Sequence, residues 1–116
     1  MIYKYLLLAC IAFPSESYTQ NVQNKLRLKR IDGNKVNLKQ YLDKGPVLVN
    51  FWATWCGPCK KEMIHLDRLS RTYRKNNLSI LSISIDTQRS LSEVKRYVRS
   101  KKYDFEVFVD PNQQIF

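Results

Sequence analysis

Glycine is scarce in this chain: three residues in 116, at positions 33, 45 and 57. Neither G-x-G-x-x-G nor G-x-x-x-x-G-K-[ST] can be written with that spacing, so a nucleotide-phosphate loop of either kind is excluded. Long hydrophobic runs are missing as well. The one apolar stretch near the N-terminus falls short of the roughly 20 residues that span a bilayer, which removes a polytopic membrane protein. Histidine appears once, as His65, and acidic residues number 10 against 20 basic ones. What remains is an ordinary globular balance, 44% hydrophobic and 26% charged, in a length that holds one domain.

Met1 to Lys4 carry one positive side chain, Tyr5 to Phe13 are apolar or small, and Pro14 ends the run. This is the pattern of a secretory signal peptide. Ser15 and Ser17 are small residues separated by one, so residues 1–17 are expected to be removed, leaving 18–24 as a polar tether. Cys10 would leave with the signal. A second reading takes Leu7-Leu8-Ala9-Cys10 as a lipoprotein cleavage site, with a lipidated Cys10 anchoring the chain to a membrane. Against it, only Tyr5 to Ala9 would serve as the apolar core, below the usual length. Either reading sends the chain to the periplasm or cell envelope, where disulfides persist.

The formal charge of +10 is unchanged by such cleavage, because Lys4 and Glu16 cancel. The basic residues are spread out: Lys25, Arg27, Lys29 and Arg30 alternate with Leu26 and Leu28, and Arg68, Arg71 and Lys75 share the polar side of a helix. Nucleic-acid binding would want a concentrated basic stripe with stacking aromatics and an internal address, and is not expected. Acidic partners or an anionic surface suit the charge better.

Alternation from Lys25 to Ile31 predicts a strand, Asp32-Gly33-Asn34 a turn, and Val36 the return arm of a hairpin. Leu38 to Leu42 reads as a short helical turn opened by Asn37. Val47 to Ala53 is nearly continuous in apolar and aromatic residues, as in a strand buried on both faces of a mostly parallel sheet. Met63, Leu66, Leu69 and Tyr73 then recur with helical period. Leu78 to Asp86 reads as a second buried strand, with Ser82 and Ser84 small enough to lie under packed helices. A capping box of Ser90 and Glu93 opens an amphipathic helix, Phe105 to Val109 is a third strand, and Asp110-Pro111-Asn112 turns into a helix beginning as the sequence ends. Strand and helix alternate, an α/β pattern with parallel crossovers.

Trp55-Cys56-Gly57-Pro58-Cys59-Lys60 sits between a buried strand and an amphipathic helix. Cysteines three apart on a first helical turn have α-carbons roughly 5–6 Å apart, within disulfide reach. Pro58 suits a helix start, where its missing N–H has no helical partner, and Gly57 leaves room for another chain. The free N–H groups and dipole of the helix favour thiolate at Cys56, making it the nucleophile, with Cys59 one turn inward to resolve a mixed disulfide. Three other uses of the pair compete. Zinc ligands run out at three with His65 added, and His65 reads as a helix-surface residue. Haem attachment requires His where Lys60 stands. A structural disulfide closing so short a loop contributes little stability. No metal or cofactor is expected.

Val47 to Glu62 resembles the active-site stretch of thioredoxin-like proteins, specifically the exported thiol:disulfide reductases related to TlpA and ResA. The resemblance implies a three-layer α/β fold with a mostly parallel central sheet. Lys25 to Leu42 would be its N-terminal hairpin and lead-in, and Leu91 to Lys101 with Phe105 to Val109 its helix-strand insertion. Asn50 stands where cytoplasmic thioredoxins carry a buried aspartate. Glu62 stands where exported relatives have a glutamate near the cysteines; it would be a proton shuttle to Cys59 in a partly apolar setting, or else a plain solvent-facing helix residue.

The resemblance implies that Cys56 reduces disulfides of client proteins and that another dithiol protein supplies the electrons. Cytochrome c maturation is one role it allows, donation to a peroxiredoxin another, and the rival is a non-catalytic binding module. It also implies that 25–116 is a thioredoxin-like domain without the family's closing strands, cis-proline and helix. Val47 to Ala53 would then lie at an exposed edge, so a longer gene product or a covering partner is expected.

Overall fold

The computed structural model describes residues 25–116. The expected leader over 1–17, Cys10 and the stretch 18–24 lie outside them. Strands β1 (Arg27–Arg30) and β2 (Lys35–Asn37) form the hairpin, antiparallel with Leu28 opposite Val36. The turn is closed where Asp32 Oδ1 accepts the Asn34 N–H at 2.8 Å. Asn37 Oδ1 accepts the Lys39 N–H at 2.9 Å in a turn that leads into the short helix α1 (Lys39–Leu42), whose N-cap is Leu38. The remaining elements are β3 (Val47–Trp52), α2 (Gly57–Tyr73), β4 (Ser79–Ser84), α3 (Leu91–Lys101) and β5 (Glu106–Val109). Strand order is β2-β1-β5-β4-β3, with β3, β4 and β5 mutually parallel and β1 antiparallel to β5.

The period of two divides the side chains between layers. Trp52, Ile80, Val107 and Val109 meet Met63 and Leu66 of α2 and Val94 of α3. Leu81, Ile83 and Phe108 point the other way, to Leu28 and to Tyr41 of α1. Ser82 and Ser84 are fully buried on the α2 and α3 side, where a hydroxymethyl leaves space for the helices. Gly45 approaches the turn after α2 so closely that a Cβ would stand 2.7 Å from the Asn77 carbonyl oxygen.

β3 lies at the edge that the resemblance implies, bonded only to β4 within the described sheet. Three expectations need correction. The apolar run at β3 is not buried on both faces, since Val49 is 42% exposed. Continuous apolarity cannot distinguish a centre from an edge whose two faces are partly covered, here by α2 on one side and by Val47 and Phe51 against the Leu28 cluster on the other. Next, Ser90 ends a short 3-10 turn and its side chain caps nothing, so no capping box forms. Last, residues 112–116 are not helical; the N–H groups of Gln114, Ile115 and Phe116 instead converge on the buried Asp110 carboxylate at 2.9–3.1 Å.

The far end of α2 is tied to the lead-in of β5. Asp67 Oδ1 accepts the Asp104 N–H at 2.6 Å and Oδ2 accepts from Arg71 at 3.0 Å, while Ser70 donates to Asp104 and Arg74 pairs with it. Burial alone would raise the Asp67 carboxyl, but the Asp104 N–H and the Arg71 guanidinium outweigh it and hold it below the usual range. A depressed carboxyl stabilises the fold above its unfolded-state pKa and loses that contribution as pH falls through the folded value. Asp67→Asn is therefore expected to cost about 1 kcal/mol near neutral pH, roughly 4–8 °C in melting temperature. The gap to wild type should close as pH drops below about 4. Thermal melts from pH 7 to 3 check this; a constant gap would contradict it.

Candidate active site

β3 delivers its last residue, Trp52, to the core, and the chain leaves the sheet as Ala53-Thr54-Trp55 before α2 begins. The chain turns outward within three positions: Ala53 and Thr54 are buried, whereas Trp55 is 75% exposed. The loop is held from β4. The Asp86 carboxylate, 1% exposed, accepts from the Thr54 N–H at 2.9 Å, from Thr54 Oγ1 at 2.5 Å and from Ser84 Oγ at 2.7 Å. The Cys56 N–H reaches back to the Ala53 carbonyl at 3.0 Å, completing the turn.

Cys56 is the N-cap of α2, in extended conformation, and its Sγ accepts the Cys59 N–H at 3.3 Å. Gly57 and Pro58 are the first helical residues. The cysteines are joined as a disulfide with α-carbons 5.3 Å apart. Cys59 packs against the core cluster of Trp52 and Met63. A sulfur at this N-cap faces unpaired helix N–H groups, which stabilise an anion there once the pair is reduced. Gly57 and Pro58 are exposed, and a Cβ at Gly57 would meet nothing within 4 Å, so the approach to the pair is open.

The other named residues scatter. Lys60 follows the pair, its N–H bonded to the Cys56 carbonyl at 3.2 Å and its ammonium 4.7 Å from the centre of the Tyr97 ring on α3. Glu62 and His65 lie on the exposed side of α2, Glu62 away from the apolar setting imagined for a shuttle. Asn50 faces the α2 side beside its register partner Ser82; the Asn50 amide and the Ser82 hydroxyl are buried without a hydrogen-bond partner among the described residues. An amide does not titrate in the range of thiol chemistry, so Asn50 is no substitute for a buried acid. No group of three or more His, Cys, Asp or Glu among the described residues could hold a metal, and no helix there is long and apolar enough to cross a membrane.

Sequence reasoning missed Thr54, Ser84, Asp86 and Tyr97. Asp86 lies 32 residues from Thr54, and only the parallel pairing of β3 with β4 brings them together. A usable signal existed: a lone carboxylate closing an apolar strand needs a partner once buried.

The AhpC/TSA family pattern matches residues 20–116. The chain belongs to the AhpC/TSA family. Among curated relatives, the thiol-disulfide oxidoreductase ResA of Bacillus thuringiensis subsp. konkukian is 35% identical over 85 residues, covering 73% of this chain and 47% of the relative. That of Geobacillus thermodenitrificans is 30% identical over 88 residues, covering 76% and 49%. This AhpC/TSA chain therefore spans about half the length of the curated relatives it matches. A solved thiol-disulfide oxidoreductase from Bacteroides fragilis superposes with a TM-score of 0.63 at 27% identity, over 78% of this chain and 66% of that one. A secreted disulfide oxidoreductase of Mycobacterium tuberculosis gives 0.63 at 17% identity, over 78% and 63%, a likeness of fold alone. The thioredoxin-like α/β fold read from the motif is the fold of these neighbours.

Proposed function

We propose that the chain is a thiol:disulfide oxidoreductase that reduces client disulfides outside the cytoplasm. The observation that carries this is the placement of Cys56 at the N-cap of α2, its sulfur accepting a helix N–H and within bonding reach of Cys59. The names of the ResA relatives support the same chemistry.

In the reduced state the Cys56 thiolate attacks one sulfur of a client disulfide, and the client's other sulfur leaves as a thiolate. Cys59, having lost its proton, attacks the Cys56 sulfur and releases the client's first sulfur. Two electrons pass to the client, and the Cys56–Cys59 disulfide waits for a dithiol donor protein. Exposed Trp55 and the open Gly57-Pro58 edge would admit the client backbone, with exposed Glu62, three residues after Cys59 on the same helix, taking the Cys59 proton through solvent. Reduction of apocytochrome cysteines is the finer client assignment within this reading, and the leader-like N-terminus supports an envelope address.

The test is alkylation and turnover. Iodoacetamide should label Cys56 in the reduced protein faster than Cys59 at neutral pH, and the reduced protein should reduce insulin. Slow labelling of both thiols without preference would remove the proposed chemistry. Glu62→Gln should slow turnover and alter the Cys59 titration; unchanged rates from pH 6 to 9 would take Glu62 out of the mechanism.

A further inference from the structure

Four ion pairs are recorded among the described residues: Arg30 with Glu106, Lys39 with Asp43, Arg71 with Asp67 and Arg74 with Asp104. Two more of the chain's few acids are buried and fully engaged, Asp86 with Thr54 and Ser84 and Asp110 with the N–H groups of Gln114, Ile115 and Phe116. None of the four ion pairs includes Lys60 or Arg96.

Those two cations meet where α3 passes the start of α2. A groove of about 210 Å³ is lined by Thr54, Lys60, Glu93, Arg96, Tyr97 and Ser100. Its floor is aromatic: Tyr97 packs on Trp52 with ring centres 5.4 Å apart. Lys60 Nζ lies 4.7 Å from the centre of the Tyr97 ring, so the ring holds that ammonium group at the groove without neutralising it. Glu93 is the one carboxylate of the lining and forms no ion pair with Lys60 or Arg96 within 4 Å. The groove keeps a positive balance. Thr54 and Lys60 bracket the Cys56–Cys59 pair in sequence, so the groove shares the loop and first helical turn that carry the cysteines.

The geometry points to a docking site for an acidic segment of the client polypeptide, with an Asp or Glu side chain near the client's disulfide received between Lys60 and Arg96. This rests on the reading that the pair exchanges disulfides, and adds the class of client. Charge complementarity of this kind acts mainly on encounter and register, so it should appear in kcat/KM and fade with salt.

The experiment uses the reduced full chain with two peptides of equal length, each carrying one intramolecular disulfide, flanked by Glu in one and by Lys in the other. Uncharged dipyridyl disulfide serves as reference. At low ionic strength kcat/KM for the Glu peptide should exceed that for the Lys peptide by about tenfold, and the ratio should shrink toward one near 1 M salt. Arg96→Glu, on an exposed helix position, should abolish or reverse the preference while leaving the dipyridyl disulfide rate unchanged. Equal kcat/KM for the two peptides, or a preference that survives Arg96→Glu, overturns the docking site while the oxidoreductase reading stands. Failure to reduce even dipyridyl disulfide overturns that reading, and the docking site with it.

Discussion

Cys59→Ser is expected to leave the protein covalently attached to its client, whereas Cys56→Ser should reduce nothing above the uncatalysed background. The asymmetry follows from where the sulfurs stand. Cys56 Sγ is at the helix N-cap, facing N–H groups that have no helical carbonyl to bond, and beside an open stretch of backbone. Cys59 is one turn in, against the core cluster, and meets the client only through the mixed disulfide. Without the Cys59 thiol the first exchange still proceeds, and its product has no internal route to release. Non-reducing electrophoresis after mixing each variant with reduced-then-quenched insulin controls and with intact insulin reads this out: an adduct with Cys59→Ser, none with Cys56→Ser. Adducts formed equally by both variants would assign the nucleophile wrongly.

The motif was legible because its chemistry is local. Four letters, Cys56-Gly57-Pro58-Cys59, set two sulfurs one helical turn apart and place a proline where a helix needs no N–H, between an apolar run and a helical period. The same holds for the hairpin, whose Asp32-Gly33-Asn34 turn is bonded within itself. Features decided by distant pairing were hidden. How fully the two faces of β3 are covered depends on what packs over them, which no property of Val47 to Trp52 encodes. Ser90 and Glu93 have the spelling of a capping box, yet the preceding residues Gln88–Ser90 form a 3-10 turn that enters α3 directly. The Lys60 and Tyr97 contact joins two helices 37 positions apart in numbering and follows only from their packing on one sheet face.

Asp86→Ala should be the most damaging substitution outside the cysteines. The carboxylate is buried and accepts from three donors, two of them on Thr54, the residue that ends the turn out of the core. Removing it lifts the desolvation cost of a buried carboxylate, which argues for a mild effect. The donors decide otherwise, because the Thr54 N–H cannot rotate to a new partner and stays buried. At roughly 1–3 kcal/mol for each buried donor left unsatisfied, a net loss of about 3–5 kcal/mol is expected after the hydroxyls reorient. Against a total stability of about 5–15 kcal/mol that is a large fraction, and it corresponds to a fall in melting temperature of roughly 15 °C or more. Asp86→Asn keeps the volume and one acceptor oxygen but turns an NH2 toward donors, so it should fall between. Thr54→Ser retains both donors and should remain near wild type. If the loop is held as the geometry indicates, insulin reduction by Asp86→Asn at a temperature where it is fully folded should also drop, since a displacement of about 1 Å at the nucleophile can cost on the order of a hundredfold in rate. Thermal melts with parallel reduction assays separate the two effects. A melting temperature for Asp86→Ala within about 2 °C of wild type would mean that the buried carboxylate does not anchor the loop carrying Cys56.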